Sequence, residues 1–220
     1  MSKDLSIAII GGTGNLGSGL AYRLSNAGYP VLIGSRTAES AIAEAERLGH
    51  GAEGMSNADA AQRGDIVLIT VPFAAQENTL RDIAPHVEGK IVVDTTVPLV
   101  PPRVMRVQLP SEGSAAVRAQ NLLGEGVRLV SAFHNVAAHK LSQNVDLGCD
   151  VLVFGDDKEA RGKIVDLANA IGLRGLHAGA LVNSAAAEAM TSLLIFMNKN
   201  YQIDGAGIVI TGDLKMPEVA

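Results

Sequence analysis

Ser6-Ile7-Ala8-Ile9-Ile10-Gly11-Gly12-Thr13-Gly14-Asn15-Leu16-Gly17 is the stretch that decides the fold. It opens on a short run that is apolar on successive residues, passes through clustered glycines, and leads into Asn15–Ala27, which reads as a helix. A strand apolar on both faces belongs to a parallel sheet covered by helices on each side. The same signature recurs outward along the chain at Val31–Ile33, Asp65–Val71, Lys90–Asp94, Val127–Phe133 and Asp150–Phe154. Helical stretches are predicted between these runs: Ala38–Leu48, Asn57–Gln62, Gln76–Ile83, Ser114–Leu123 and Lys158–Ile171. This β-α alternation predicts an α/β fold with a doubly wound parallel sheet of the Rossmann type.

Within the opening stretch, Gly12, Gly14 and Gly17 satisfy G-x-G-x-x-G directly between a strand and a helix. In that context glycines let the backbone approach a pyrophosphate, whose charge meets the amides of the helix N-terminus. The end of the second strand then selects the nucleotide. A site for NAD usually offers a carboxylate there, whereas this chain reads Gly34-Ser35-Arg36. A guanidinium beside a hydroxyl suits a 2′-phosphate through charge-assisted hydrogen bonds, and Thr13 can add its own hydroxyl. The expected cofactor is NADP(H).

Composition narrows the function classes. Of 220 residues, 47% are hydrophobic and only 19% charged, which provides for a large core and excludes a disordered chain. Aromatics are 3% with no Trp, and 18 Lys+Arg against 23 Asp+Glu leave a net charge of −5. Neither a stacking platform nor a basic stripe is present, so no nucleic-acid partner is expected. One Cys leaves no disulfide framework and too few thiols for a structural zinc site. The polar start from Met1 to Asp4 carries no signal peptide, and no apolar run is long enough to span a bilayer. A cytoplasmic protein without a membrane partner is the expectation.

Two regions fall outside the alternation. Thr95–Gly113 holds four of the eight prolines with no periodic pattern and is expected to be a long, functional loop. From Ser184 to Tyr201, Met190, Leu193, Leu194, Met197 and Tyr201 share one helical stripe, which Ile195 and Phe196 widen. A helix this apolar is expected to be largely buried, part of it against a second copy in a homodimer. The chain thus divides into a nucleotide-binding portion, 1–132 and 151–180, and a small helical C-terminal cap, 133–150 and 181–220.

Familiar catalytic patterns are missing. The only tyrosines, Tyr22, Tyr29 and Tyr201, are followed four residues on by Asn26, Ile33 and Gly205, so Tyr-x-x-x-Lys does not occur. No G-x-S-x-G elbow occurs, and no metal site is expected. The polar cluster that remains is Ser131 to Lys140 at a strand's C-terminal end, where ligands of parallel sheets bind. His134 and Asn135 are expected to face the nicotinamide, with His134 a hydrogen-bonding wall ahead of an acid. Asp94 reads as a loop-capping residue ahead of a base.

Taken in order, Gly11 to Gly17, Gly34-Ser35-Arg36, Val130-Ser131-Ala132-Phe133-His134-Asn135, Gly155-Asp156-Asp157 and Ala178 to Asn183 resemble the NADPH-dependent reductases of coenzyme F-420, an 8-hydroxy-5-deazaflavin. The resemblance runs from Ile7 to about Gly207. It implies direct hydride transfer between NADP(H) and the deazaflavin, with no indispensable acid or base. It also assigns Thr13, Gly14, Asn15 and Leu16 to the pyrophosphate and ribose, and Ser35 with Arg36 to the 2′-phosphate. Phe73 and Leu99 would flank the nucleotide, and Ala138 would offer a backbone contact near the nicotinamide. His134, Val136 and Ala206 would line the acceptor pocket. Ser40 stands where the family often has a third, lysine ligand for the phosphate. Two other readings share these residues: an NADP(H)-binding redox sensor without turnover, and a reductase of another flavin, a keto acid or an imine.

Overall fold

The structure, a computed structural model, describes residues 4–143 and 145–215. Met1 to Lys3, in the polar start, and residues 216–220 of the expected cap lie outside them. One sheet has the strand order β3-β2-β1-β4-β5-β6-β7-β8. Its strands are β1 (Ile7–Ile10), β2 (Val31–Ser35), β3 (Glu53–Ser56), β4 (Ile66–Ile69), β5 (Ile91–Asp94), β6 (Arg128–Ser131), β7 (Asp150–Gly155) and β8 (Arg174–His177). The helices between and after them are α1 (Asn15–Asn26), α2 (Ala38–Leu48), α3 (Asn57–Arg63), α4 (Phe73–Ile83), α5 (Ala115–Leu123), α6 (Ala138–Leu141), α7 (Lys158–Ala170) and α8 (Ser184–Tyr201).

Why the first run had to be apolar throughout is visible at β1. It sits mid-sheet, with Ile7 beside Val31 on one side and Ile66 on the other. Ile7 and Ile9 join one core with Leu20, Leu24 and Ile33, while Ala8 and Ile10 join the opposite core with Val67, Ile69 and Leu80. Each fully buried isoleucine removes apolar area worth roughly 2–3 kcal/mol from water. The order β3-β2-β1-β4-β5-β6 is that of the doubly wound nucleotide-binding sheet, with its crevice where the order reverses, between β1 and β4.

Three features differ from the expectation. β7 pairs antiparallel with β6, through Val130 opposite Gly155 and Ser131 opposite Phe154, so the sheet is mostly rather than wholly parallel. A parallel neighbour needs a crossover to the far end of the sheet; the only described helix between β6 and β7 is the four-residue α6, and β7 runs back beside β6. β3 and β8 are edge strands that the apolar runs did not mark. In α8, the buried residues are Ser184, Ala187, Glu188, Ser192 and Leu194. Of the stripe only Leu194 is buried, and Leu193, Phe196 and Tyr201 are 45%, 52% and 66% exposed in the single chain. Residues 95–113 hold no strand or helix, as expected of the loop. Among the described residues, no helix is long and apolar enough to cross a membrane.

Candidate active site

The C-terminal ends of five adjacent strands deliver the residues singled out by sequence. Thr13 follows β1, Ser35 ends β2 with Arg36 next, Phe73 follows β4, Leu99 follows β5, and His134 follows β6. Around β1 the glycines do separate jobs. Gly11 has φ +74°, and a Cβ there would stand 2.5 Å from Val71 Cγ1. A Cβ on Gly17 would stand 2.7 Å from Gly12 Cα and 3.0 Å from Gly11 O, so only glycine lets α1 approach the loop. On Gly14 the nearest atom would be Gly11 O at 3.5 Å, an ordinary contact. The protein itself therefore has no steric need of glycine at Gly14; the space belongs to whatever approaches from outside. The loop is braced from behind, Gly11 N donating to Asn57 Oδ1 at 3.2 Å and Gly12 N to Gly34 O at 2.9 Å.

In front, α1 is open. Gly14 is its N-cap, no side chain caps it, and no acidic residue lies in its first turn. The helices after β2 and β4 also lack a side-chain cap, whereas α3, α5 and α7 are capped by Ser56, Ser114 and Asp157. An open helix end beside glycines fits a pyrophosphate. Ser35 is buried at the strand end, and Arg36 is exposed with no hydrogen bond or ion pair among the described residues. A solvated guanidinium beside an open end is the donor set a 2′-phosphate requires. Phe73 is half-buried, with the Arg118 guanidinium 5.1 Å from its ring centroid, and Glu77 pairs with Arg118 at 2.5 Å. Leu99 and Ala138 are half-buried, Ala138 as the first residue of α6, which packs on α1 where Gly19 admits Leu141.

His134 is 6% exposed, and its Nε2 lies 2.8 Å from Ser131 Oγ. Burial holds its pKa down at about 4, so the ring is neutral at neutral pH. The residue before it, Phe133, is buried with φ +65°, a strained conformation for a bulky side chain that turns the chain out of β6. Nothing in the sequence signals that strain. His134, Val136 and Ala206, seventy residues apart in the chain, line one cavity of about 120 Å³ with Asn135, Ile195 and Gly205. Ligand pockets usually enclose about 300 Å³ or more, so this notch is too small to enclose a whole ring system. The tail that closes it is tightly held. Ala206 N donates to Asn198 Oδ1 at 2.8 Å, His139 Nε2 meets Asp204 Oδ1 at 2.7 Å, and Asp150 Oδ2 accepts from Ile210 N at 2.6 Å. A Cβ on Gly205, at φ +81°, would strike Ala137 Cβ at 2.6 Å, so the strap crosses the His134 segment in direct contact. A larger cavity of about 310 Å³ lies at the β7–β8 edge, but its Asp150 and Arg174 are paired with each other at 2.6 Å.

Asp94 is fully buried at the end of β5. Its Oδ1 accepts from Thr96 N at 3.0 Å and its Oδ2 from Gln76 Nε2 at 2.6 Å, so it caps the loop, and burial pushes its pKa up. Among the described residues no group of His, Cys, Asp and Glu could hold a metal ion.

Comparison with known proteins agrees with this arrangement. The family model described as NADP oxidoreductase coenzyme F420-dependent matches residues 6–98. The F420-dependent NADP reductase of Methanocaldococcus jannaschii is 40% identical over 222 residues, covering 94% of this chain and 98% of its own. The chain belongs to the F420-dependent NADP reductase family. The reductase of that name from Methanothermobacter thermautotrophicus is 41% identical, with 94% of this chain and 95% of its own covered. Among solved structures, a putative F420-dependent NADP reductase from Arthrobacter shares the fold at TM-score 0.83 and 21% identity, over 94% of this chain and all of its own. The reductase family thus spans the glycine loop, the His134 turn and the C-terminal helix together.

Proposed function

We propose that this chain transfers a hydride between NADP(H) and coenzyme F-420. The observation that carries the reading is the pairing of two features on one sheet edge: the open α1 end with the free Arg36, and the notch lined by His134, Val136 and Ala206. The family membership gives the second substrate its chemical class. Bound side by side, the nicotinamide and the deazaflavin supply the hydride exchange themselves. The chain's share is binding, orientation and exclusion of water. Gly12, Thr13, Gly14, Asn15, Leu16 and Gly17 form the loop and uncapped helix start that take the pyrophosphate, and Ser35 and Arg36 take the 2′-phosphate. Phe73 and Leu99 flank the nucleotide, and Ala138 offers its backbone beside the nicotinamide. His134, neutral and held by Ser131, serves as a polar wall for the acceptor and not as a proton donor.

The nucleotide portion is 1–132 and 151–180, and 133–150 with 181–220 complete the acceptor pocket. We infer a cytoplasmic protein and a homodimer, the latter supported by Met190, Leu193, Phe196, Met197 and Tyr201 of α8, which the single chain leaves exposed. The test of function is absorbance during mixing of NADPH with the deazaflavin, and separately with FMN and FAD. Oxidation of NADPH by the deazaflavin alone is expected; faster oxidation by FMN or FAD would transfer the reading to flavins. His134→Ala is expected to keep turnover within about 10- to 100-fold of wild type, the cost of one hydrogen bond and a looser wall. Loss approaching 10⁴-fold would mark a true acid.

A further inference from the structure

Less than two turns of α8, Ala187 to Ser192, touch three segments that surround the site. Glu188 is 1% exposed, and its carboxylate accepts from Ala115 N at 2.7 Å and Ala116 N at 3.1 Å. On the same stretch, Asn135 Nδ2 donates to Ala187 O at 2.9 Å and to Thr191 Oγ1 at 3.0 Å, and Thr191 Oγ1 donates to His134 O at 3.1 Å. Ser192 Oγ then donates at 3.3 Å to Arg106 O, within the proline-rich loop. The loop's two ends are tied to each other as well, because Gln76 Nε2 donates both to Asp94 Oδ2 and to Ala115 O, the latter at 3.0 Å.

A helix cap alone does not explain Glu188. Ser114 already caps α5, its Oγ accepting from Val117 N at 3.0 Å. A buried carboxylate is costly without a cation, and among the described residues none pairs with Glu188. Asp94 even stands close enough to oppose its charge. What the carboxylate adds is a two-point joint between α8 and α5, beside the single Ser184 Oγ–Ser114 Oγ hydrogen bond at 3.0 Å.

We propose that Glu188 is a positioning residue, which docks α8 on the start of α5 and so sets the 95–113 loop and the His134–Asn135 wall at a fixed spacing across the site. Its kinetic consequence rests on the hydride-transfer reading above; its structural consequence does not. Glu188→Gln keeps shape and one carbonyl acceptor but turns an amide NH₂ toward the second N–H. Turnover per NADPH-binding molecule is expected to fall about 10-fold, since small misplacements of reacting groups are expensive. NADPH affinity should stay within about 2-fold, and the primary isotope effect with 4-deuterated NADPH should rise. Deuterium uptake should increase in peptides covering residues 132–140 as well as 112–118. Thr191→Val is expected to reproduce the turnover loss and the 132–140 uptake while sparing 112–118; should Glu188→Gln not fold, Glu188→Asp, whose shorter carboxylate no longer reaches both amides, is expected to show the turnover loss and both uptake changes, and the absence of either overturns the proposal. Extra uptake at 112–118 alone, or wild-type turnover per folded molecule, overturns the proposal. If the wild-type protein leaves the deazaflavin unreduced, the functional reading fails by itself and the exchange measurement still judges the joint.

Discussion

Two helix N-termini at the same edge of the sheet, those of α1 and α5, have opposite fates. Both present unpaired amides and the positive end of a helix dipole, equivalent to roughly half a charge. At α5 the chain answers with its own groups, Ser114 Oγ on Val117 N and the Glu188 carboxylate on Ala115 N and Ala116 N. At α1 it answers with nothing: glycine at the cap, no acid in the first turn, and a free Arg36 nearby. The helices themselves do not differ in kind. What differs is whether the fold brings an internal anion to the end, and that separates a structural joint from a ligand site.

The largest expected effect comes from filling the open end. In Gly17→Ala the new methyl meets backbone atoms of Gly11 and Gly12 that cannot move aside. A loss of roughly 1–3 kcal/mol of stability follows from overpacking. NADPH affinity should fall about 100-fold or more, as roughly two charge-assisted hydrogen bonds go. Gly14→Ala sharpens the point, because its methyl has room within the protein. Melting should show it within about 0.5 kcal/mol of wild type, while calorimetric titration shows about 10-fold weaker NADPH binding. Wild-type affinity in Gly14→Ala would mean that α1's end is open for no ligand.

The closed end makes a prediction of similar size in pH. Burial and Asp94 raise Glu188 from its ordinary value to about 7. A carboxyl raised in this way lends its full stability below its unfolded value, near 4.5, and withdraws it as pH rises through 7. The total is about 3 kcal/mol. His134, depressed to about 4, works in the opposite sense: its contribution is complete above about 6.5 and is lost as pH falls to 4. In the wild-type protein the two offset each other between those limits. Urea unfolding of Glu188→Gln against wild type should therefore show a difference that moves in the variant's favour by up to about 3 kcal/mol from pH 4.5 to 7. A difference independent of pH would show that the α5 end does not hold an ionising carboxylate.

Arg36→Ala tests what the open end is for. Losing a guanidinium from a 2′-phosphate removes roughly 1.5–3 kcal/mol, or about 10- to 100-fold in affinity for NADPH. Affinity for NADH, which lacks that phosphate, should hardly change. Equal losses for the two nucleotides would place Arg36 outside the phosphate site.

The open end was legible in sequence, and the closed one was not, for a physical reason. Gly12 to Gly17 is a local pattern between a strand and a helix, and local patterns carry their own geometry. Glu188 reaches α5 from more than seventy residues away, and no spacing rule connects them. The same holds for the notch, whose halves at Val136 and Ala206 meet only because Gly205 lets the strap pass over Ala137. Among strands, those apolar on both faces were readable. β3, with the sequence Glu53-Gly54-Met55-Ser56, has no such run and owes its place to pairing with β2 and to α2, whose backbone leaves no space beside Gly54. β7 was readable as a strand, but its direction was not, because periodicity carries no sign. The apolar stripe of α8 gave the right helix and the wrong inner face: Ser184, Glu188 and Ser192 turn inward because the polar ends of α5 and of the His134 turn lie there.

The smallest effect is expected at the closed end, from Ser114→Ala. Removing a serine cap typically costs about 1 kcal/mol. Here the loss also removes one partner of the buried Ser184 Oγ, which donates to Ser114 Oγ at 3.0 Å and keeps the Glu188 carboxylate as its other partner. Glu188 still satisfies Ala115 N and Ala116 N, so the helix end is weakened without being opened. For a chain of this size such a loss lowers Tm by roughly 2–4 °C. NADPH affinity should stay within about 2-fold, because Ser114, Ala115 and Ala116 are buried and Glu188 still holds that helix end. The measurement is melting and NADPH titration on the same sample. Unchanged melting with weakened binding would reverse the comparison, making α5 the end that serves the ligand.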